Sequence, residues 1–436
     1  MTQTYIENVG PVVSWQLCVG CGACVYACPT DAIRLVDLAN QGLRPTVDSS
    51  RCQKCGSCVR VCPGIEVSHQ PFDSETIPEL REAWGPILAI WEGYATEPKI
   101  RFRGSSGGVV TALSLFCLEK EKTSGVLHIG ADSEIPWHNA PAFSKSRQEL
   151  LALSGSRYSP AAPCRKLDWI EQAESNCVFI GKPCDVAALH KAQMNNPALA
   201  SKVGLMISLF CAGTPSTQGT TVLLGALEVE AHDVAELRYR GYGWPGRTTV
   251  KLKGTNGEQR SMSYEKAWGD ILCKYGQRRC RLCPDGTGEF ADISCGDPWY
   301  RESGPSELGW SLILARTKRG KHILQKAVQD GYVTLSRVKP SVLPQSQKSL
   351  LAKRRKLWGR LLGLRMLAMP RPQFAGFSLR PNWRTLPMGE KLKSVLSTLV
   401  RSAYRKFLNL KGLCPRRDRP RNPESQACKW QTRLQR

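Results

Sequence analysis

Apolar and polar positions divide the chain into three patterns. Between residues 87 and 345, short apolar runs such as "ILAIWEGYA" (87–95), "SGVLHIGAD" (124–132) and "NCVFIG" (176–181) have the length and composition of buried strands. Longer segments with helical spacing lie among them, "GGVVTALSLFCLEKE" (107–121) and "KPCDVAALHKAQ" (182–193). This alternation predicts an α/β layer architecture with functional residues on the loops after strands. Ahead of it, residues 1–72 form a two-fold internal repeat. Each unit is a cysteine loop running into a short helix, with strand-like "AIRLVDL" and "LRPTVD" between the two. "HQPFDSETIPELREAWGP" (69–86) reads as a linker, and residues 351–436 as a basic helical extension broken by "MPRPQFAG" and ending in a polar coil rich in Arg and Pro.

A chain of 436 residues with 42% hydrophobic content is long enough for two or three cores. Its longest apolar stretches, 109–118 and 203–213, fall short of the roughly 18 to 20 residues needed to cross a bilayer, so no span is predicted. Nineteen cysteines would build a disulfide framework in a small secreted protein. The N-terminus "MTQTYIENVGPVV" lacks the basic and apolar regions of a secretory leader, so a reducing cytoplasm is the expected setting.

The net charge of +24 is uneven: residues 351–436 hold 22 Lys/Arg against 3 Asp/Glu. No nucleic-acid reader motif accompanies this charge, and nucleic acid is not an expected partner. In 388–411, Met388, Leu392, Val395, Leu396, Leu399 and Phe407 share a helical face, with Lys391, Lys393, Arg401, Arg405 and Lys406 among the other positions. Such a helix suits peripheral contact with an anionic membrane surface, docking on an acidic redox partner, or packing on its own domain.

The repeat carries the clearest chemistry. Cys18, Cys21, Cys24 and Cys28 precede Pro29, and Cys52, Cys55, Cys58 and Cys62 precede Pro63, each as C-x2-C-x2-C-x3-C-P. This is the bacterial two-cluster ferredoxin run, in which the fourth cysteine ligates the other cluster. One [4Fe-4S] cluster is therefore expected on Cys18, Cys21, Cys24 and Cys62, and a second on Cys52, Cys55, Cys58 and Cys28. Zinc sites pair separated C-x2-C knuckles and fit this spacing poorly. Gly20, Gly22, Ala23, Gly56 and Ser57 are small enough to let backbone N–H groups approach the sulfurs.

Further along, Gly104 to Gly108 precede a helical pattern, with Arg101 and Arg103 nearby, a turn that could receive a phosphate or could be only a turn. Cys184, Cys211, Cys280 and Cys283 lie at loop positions. They could serve a cubane or zinc if the fold brings them together, or be inert buried thiols.

"RGSSGGVVTAL" (103–113), "SGSRYSP" (154–160), "GKPCDVAAL" (181–189), "LFCAGTPS" (209–216), "RYRGYGWPG" (238–246) and "CRLCPDGTGEFADISCGD" (280–297) together resemble the signatures of the coenzyme F420 hydrogenase/dehydrogenase beta-subunit family. The resemblance runs from about 87 to 340, and the N-terminal repeat resembles the ferredoxin domain often fused in front. It implies an α+β ferredoxin-like domain over 1–72, an α/β FAD domain over 87–345 and an extension over 351–436. It implies further that Cys184, Cys211, Cys280 and Cys283 hold a third [4Fe-4S] cluster. Arg103, Ser105, Ser106, Gly107, Gly108 and Thr111, then Gly155, Ser156, Arg157 and Tyr158, would line FAD. Lys182 would meet a flavin phosphate or carbonyl. The implied activity is electron exchange between clusters and FAD and on to a small organic acceptor, a deazaflavin such as F420, a tetrapyrrole or another.

A ferredoxin-like donor or other redox partner protein is expected. The alternative is an electron-relay subunit of a larger complex, in some relatives linked to polysaccharide synthesis. The basic extension departs from the compact end of a hydrogenase subunit. Cys295 is read as a structural thiol. His128, His138 and His232 are the available proton donors, none in a motif, and the catalytic residue is left unassigned.

Overall fold

The computed structural model describes residues 6–70, 72, 74–301 and 308–410, with side chains to residue 403. At its centre is an eight-stranded mixed sheet. Its middle strands, Gly125–Ala131, Cys177–Gly181, Val203–Leu209 and Ile293–Gly296, run parallel to one another. Asn139–Ser144 closes one edge in antiparallel pairing. Ser311–Ala315, Ala89–Ala95 and Val333–Arg337 extend the other edge, also antiparallel. The fold is α/β.

Successive strand residues divide between the two faces. Val126, Val178, Leu205 and Ile207 join Leu113 and Phe116 of the Val109–Glu119 helix and Leu324 of the Lys318–Gln329 helix. Leu127, Phe179 and Met206 face the opposite way, against Val186 and Leu189 of the Pro183–Asn195 helix. Cys21, Ala23 and Val61 of the repeat belong to that second core, so the cysteine loops are packed directly on the sheet domain. Parallel pairing aligns the carboxyl ends of the middle strands, and from that edge the chain continues into Lys182, Cys184, Cys211 and Asp297.

The repeat folds around the antiparallel hairpin Ile33–Leu38 and Gly42–Val47. Corresponding positions of its two loops share left-handed backbone: Gly20 and Lys54, then Gly22 and Gly56 at the starts of the short helices Ala23–Tyr26 and Ser57–Arg60. At Gly20 (φ 73°) a Cβ would also lie 2.9 Å from the Leu43 carbonyl oxygen.

One segment differs from its sequence reading, and the basic extension takes the packed alternative. The stretch read as a linker contains the helix Pro78–Trp84, whose Leu80 and Trp84 bury against Ile87, Leu343 and Leu350. The basic extension is built into the body over much of its length. The helix Lys348–Met366 sends Leu357 and Leu364 into the core around the repeat, and the strand Gln373–Ala375 pairs in parallel with Glu66–Ser68. A last helix, Met388–Leu410, packs on Lys348–Met366. The polar coil expected beyond it lies outside the described residues. Among the described residues, no helix is long and apolar enough to cross a membrane.

Candidate functional site

Three sulfurs of the first loop and one of the second meet. Cys18, Cys21, Cys24 and Cys62 line one cavity of about 20 Å³, walled by Val9, Val12, Leu35 and Pro45. The Gly20 N–H donates to Cys18 Sγ at 3.4 Å. Burial pushes the thiols of Cys18 and Cys24 up, and that of Cys62 to about 12. Cys21 goes the other way, because the thiol of Cys164 hydrogen-bonds to it; burial pushes Cys164 itself up. Three of the four thiols, raised by burial, are poor acids alone, and ligation there must release their protons.

The complementary four lie nearer the surface. Cys58 is raised first by burial and then by the proximity of Cys28, Cys55 and Cys52. Ala32 N–H donates to Cys28 Sγ at 3.3 Å, and Asn8 Nδ2 lies 3.8 Å from Cys52 Sγ. Cys55 is exposed, and the Ser57 hydroxyl lowers its pKa.

Cys184, Cys211, Cys280 and Cys283 line a second cavity, of about 50 Å³, with Arg279, Phe290 and Lys353. Cys184 sits in the first turn of the Pro183–Asn195 helix, Cys211 just past the Val203–Leu209 strand, and Cys280 in the short turn Arg278–Leu282. Thr214 N–H donates to Cys280 Sγ at 3.4 Å. Burial raises Cys211 to about 12, opposed by Lys353, whose Nζ is anchored on the Ala212 carbonyl at 3.2 Å. Val19 lines both cavities, and Pro63, beside Cys62, lines the second. Among the described residues, no group of three or more Cys, His, Asp or Glu is disposed to hold a single metal ion.

The segments expected around FAD also adjoin. The Ser156 N–H donates to Ser105 Oγ at 2.9 Å, and Ser105 Oγ donates to the Arg240 carbonyl at 3.4 Å. Ser311 Oγ accepts from the Gly107 N–H at 3.0 Å, and Ser106 bonds to the Trp310 carbonyl. Gly108 (φ 73°) starts the Val109–Glu119 helix without a side-chain cap, which leaves first-turn N–H groups, that of Thr111 included, as donors. Arg103 Nε and Arg238 Nε are buried without a partner, while Arg238 Nη1 donates to the Arg103 carbonyl at 3.1 Å. Gly155 (φ 129°) lies against the Arg238 guanidinium.

Two expected contacts have other work. Arg157 spends its donors on Asn139 and on the carbonyls of Pro136, His138 and Leu237. Lys182 Nζ is paired with Asp185 at 2.7 and 2.8 Å and with the Ala161 carbonyl at 3.3 Å. Tyr158 OH accepts from Arg240 Nη1 at 3.3 Å. Of the histidines, His128 is buried on Ser144 at 2.8 Å and lowered by burial, His138 is lowered by burial with Nε2 unpartnered, and His232 is exposed. Cys295 is buried in a central strand and pushed up to about 12.

Sequence reasoning passed over Asp185, Cys164, Lys353 and the Arg240–Asp297 pair, bidentate at 2.8 and 2.9 Å. Asp185 was open to view three residues beyond Lys182 on a predicted helix, and Arg240 in the alternating "RYRGYG". Cys164 and Lys353 carry no local signal.

Fold and thiol geometry define an iron–sulfur electron-transfer protein. The chain belongs to the coenzyme F420 hydrogenase/dehydrogenase beta-subunit family: the family's N-terminal model matches residues 90–167 and its C-terminal model residues 174–341. A 4Fe-4S dicluster domain matches residues 17–64. The chain is similar to coenzyme F420 hydrogenase subunit beta of Methanosarcina barkeri, 27% identical over 264 residues, 57% of this chain and 81% of that one. With the subunit of the same name from Methanococcus voltae it is 28% identical over 293 residues, 64% of this chain and 95% of the other. A chain of the F420-reducing [NiFe] hydrogenase complex from Methanosarcina barkeri superposes with a TM-score of 0.48 at 24% identity, covering 63% of this chain and 94% of that one.

Proposed function

We propose that the protein is an iron–sulfur flavoprotein oxidoreductase that exchanges electrons between three [4Fe-4S] clusters and FAD and delivers them to a small organic acceptor. The adjoining cavities of the two buried thiol sets, joined through Val19 and the Cys62–Pro63 step, carry this reading. When bound, the clusters supply one-electron transfer and the flavin exchanges one-electron for two-electron chemistry.

The chain's own residues supply position and charge. Cys28, Cys52, Cys55 and Cys58 would hold the outermost cluster, Cys18, Cys21, Cys24 and Cys62 the next, and Cys184, Cys211, Cys280 and Cys283 the third. Two cations beside the second cavity, the buried Arg279 and the half-buried Lys353, offset the negative charge that thiolates bring. Ser105, Gly107 and Gly108 would shape the turn around a flavin phosphate, which the first-turn N–H of Thr111 and the unpartnered Arg103 Nε would receive, and Ser156 ties that turn to the next segment. Arg157 fixes the shape of that segment through Asn139 and the carbonyls of Pro136, His138 and Leu237.

A relay role is the second reading, favoured because the relatives are named as subunits of F420 hydrogenase. Iron, sulfide and flavin content after anaerobic purification tests the first proposal: about twelve irons and one flavin per chain are expected, at four irons per cubane. About eight irons would remove the third cluster, and absence of flavin would remove the oxidoreductase reading. Turnover of F420 or another acceptor by the isolated chain with reduced ferredoxin separates enzyme from relay.

A further inference from the structure

The Met388–Leu410 helix is packed with its polarity reversed. Its buried side chains are Ser394, Thr398 and Ser402, an i, i+4 ridge only 4 to 7% exposed. They face Gly359 and Gly363 of the Lys348–Met366 helix. A Cβ on Gly359 would lie 2.0 Å from Ser394 Oγ, and one on Gly363 3.3 Å from Thr398 Cβ. Close approach through small residues is how helices associate in lipid, whereas a surface helix in water ordinarily buries its apolar face.

Val395 and Leu399 are half-buried beside this ridge, and four other apolar residues are outside. Met388, Leu392, Leu396 and Val400 are 68, 54, 54 and 68% exposed and form one continuous ridge. At 1.5 Å per residue the ridge is about 18 Å long. Lys391, Lys393 and Arg401 lie beside it in sequence, and residues 403–436 add ten Lys/Arg against two Asp/Glu.

We propose that this ridge docks the protein on an anionic phospholipid surface. The helix would lie in the interface plane, its four apolar side chains among the headgroups and its cations against lipid phosphates. The cations around it repel a second copy of the same face. An acidic protein with an apolar groove would compete for the same face, and failure of the wild type to bind anionic vesicles would point there instead. The inference is independent of the redox reading.

The test uses the full chain, purified anaerobically and sedimented with phosphatidylglycerol or pure phosphatidylcholine vesicles. Binding is expected to the anionic vesicles and to weaken with salt. The double variant Leu392→Glu/Leu396→Glu should lose roughly tenfold or more in partitioning, and Lys391→Glu/Lys393→Glu should also weaken it, with iron content and oligomeric state unchanged. Wild-type binding by the leucine variant overturns the proposal, as does equal binding to both lipids. A dimer that the leucine substitutions dissociate, without vesicle binding by the wild type, would assign the ridge to self-association instead.

Discussion

Lys182 Nζ donates to both carboxylate oxygens of Asp185, and the electrostatic neighbours of this ammonium include Cys184 and Cys21, one from each buried thiol set. Burial alone would neutralise the lysine; Asp185 and the two thiols raise its pKa instead. Burial likewise raises Asp185, with Lys182 opposing. The pair as a whole is close to neutral, but its ammonium lies beside Cys184 and Cys21, where two clusters would approach each other. A nearby cation favours the reduced, more negative cluster. Lys182→Met should shift potentials in redox titrations followed by electron paramagnetic resonance to more negative values, and Lys182→Arg should restore them in part. Losing one partner of a buried pair should also cost about 3 to 5 kcal/mol of stability, with Lys182→Met/Asp185→Asn recovering some of it. Unchanged potentials in the methionine variant would remove the electrostatic role.

A second buried pair joins the extension to the site. Arg354 meets Glu289, and Glu289 also bonds His69 at 2.9 Å. Burial would raise Glu289, but Arg354 and then His69 overcome it and hold the carboxyl at about 2. A folded pKa below the unfolded one contributes stability that is complete above roughly 4.5 and is lost as pH falls toward 2. Thermal unfolding should therefore weaken steeply below about pH 4.5 in the wild type, while Glu289→Gln, weaker at neutral pH, shows a flatter profile. Parallel acid profiles for the two proteins would contradict this assignment.

Most of the thiol chemistry was legible in the sequence, because ferredoxin spacing depends on local turns that eleven residues encode. The meeting of Cys62 with Cys18, Cys21 and Cys24 follows from the same rule, and the structure brings these four to one cavity. The third set was legible as four loop cysteines, which the resemblance grouped as ligands, but their meeting in one cavity was not, since Cys184 and Cys283 are far apart in sequence and joined by sheet topology. Lys353 and the Gln373–Ala375 strand were hidden for a related reason. Three residues pairing with Glu66–Ser68 across the chain have no local periodicity, and a lysine in a basic run reads as solvated until the helix around it is buried through Leu350 and Leu357.

That burial sets where the chain can be cut. Ending the protein after residue 347 removes Lys353 from the cavity wall, leaves Glu289 without Arg354, and opens the core at Leu357 and Leu364. Such a protein should be insoluble or lose the third iron complement. Ending it after residue 386 removes only the last helix and should keep iron content and visible absorption. Iron analysis of both truncations checks the contrast, and full iron in the shorter one would refute it.

The contact between Gly359 and Ser394 gives a subtler probe of the last helix. Gly359 lies beneath Ser394 Oγ and Trp383 Nε1, which an added Cβ would approach at 2.0 and 2.7 Å. Gly359→Leu therefore cannot be absorbed by a rotamer change of one flexible side chain, and overpacking of this kind costs about 1 to 3 kcal/mol. The cheapest relief is for Met388–Leu410 to lift away, because the inner side of the Lys348–Met366 helix is held by Leu357, Leu364 and the Arg354–Glu289 pair. Trypsin should then cut faster at Lys391, Lys393 and Arg401, while iron content stays at the wild-type level. Ser394→Ala, which removes a hydroxyl and adds no volume, should leave the cleavage rate within about twofold, since outside its own helix it forfeits only the Trp383 Nε1 donor at 3.1 Å, from the short helix Leu379–Arg384. Equal proteolysis of the leucine variant and the wild type would mean that the two helices do not depend on this close approach.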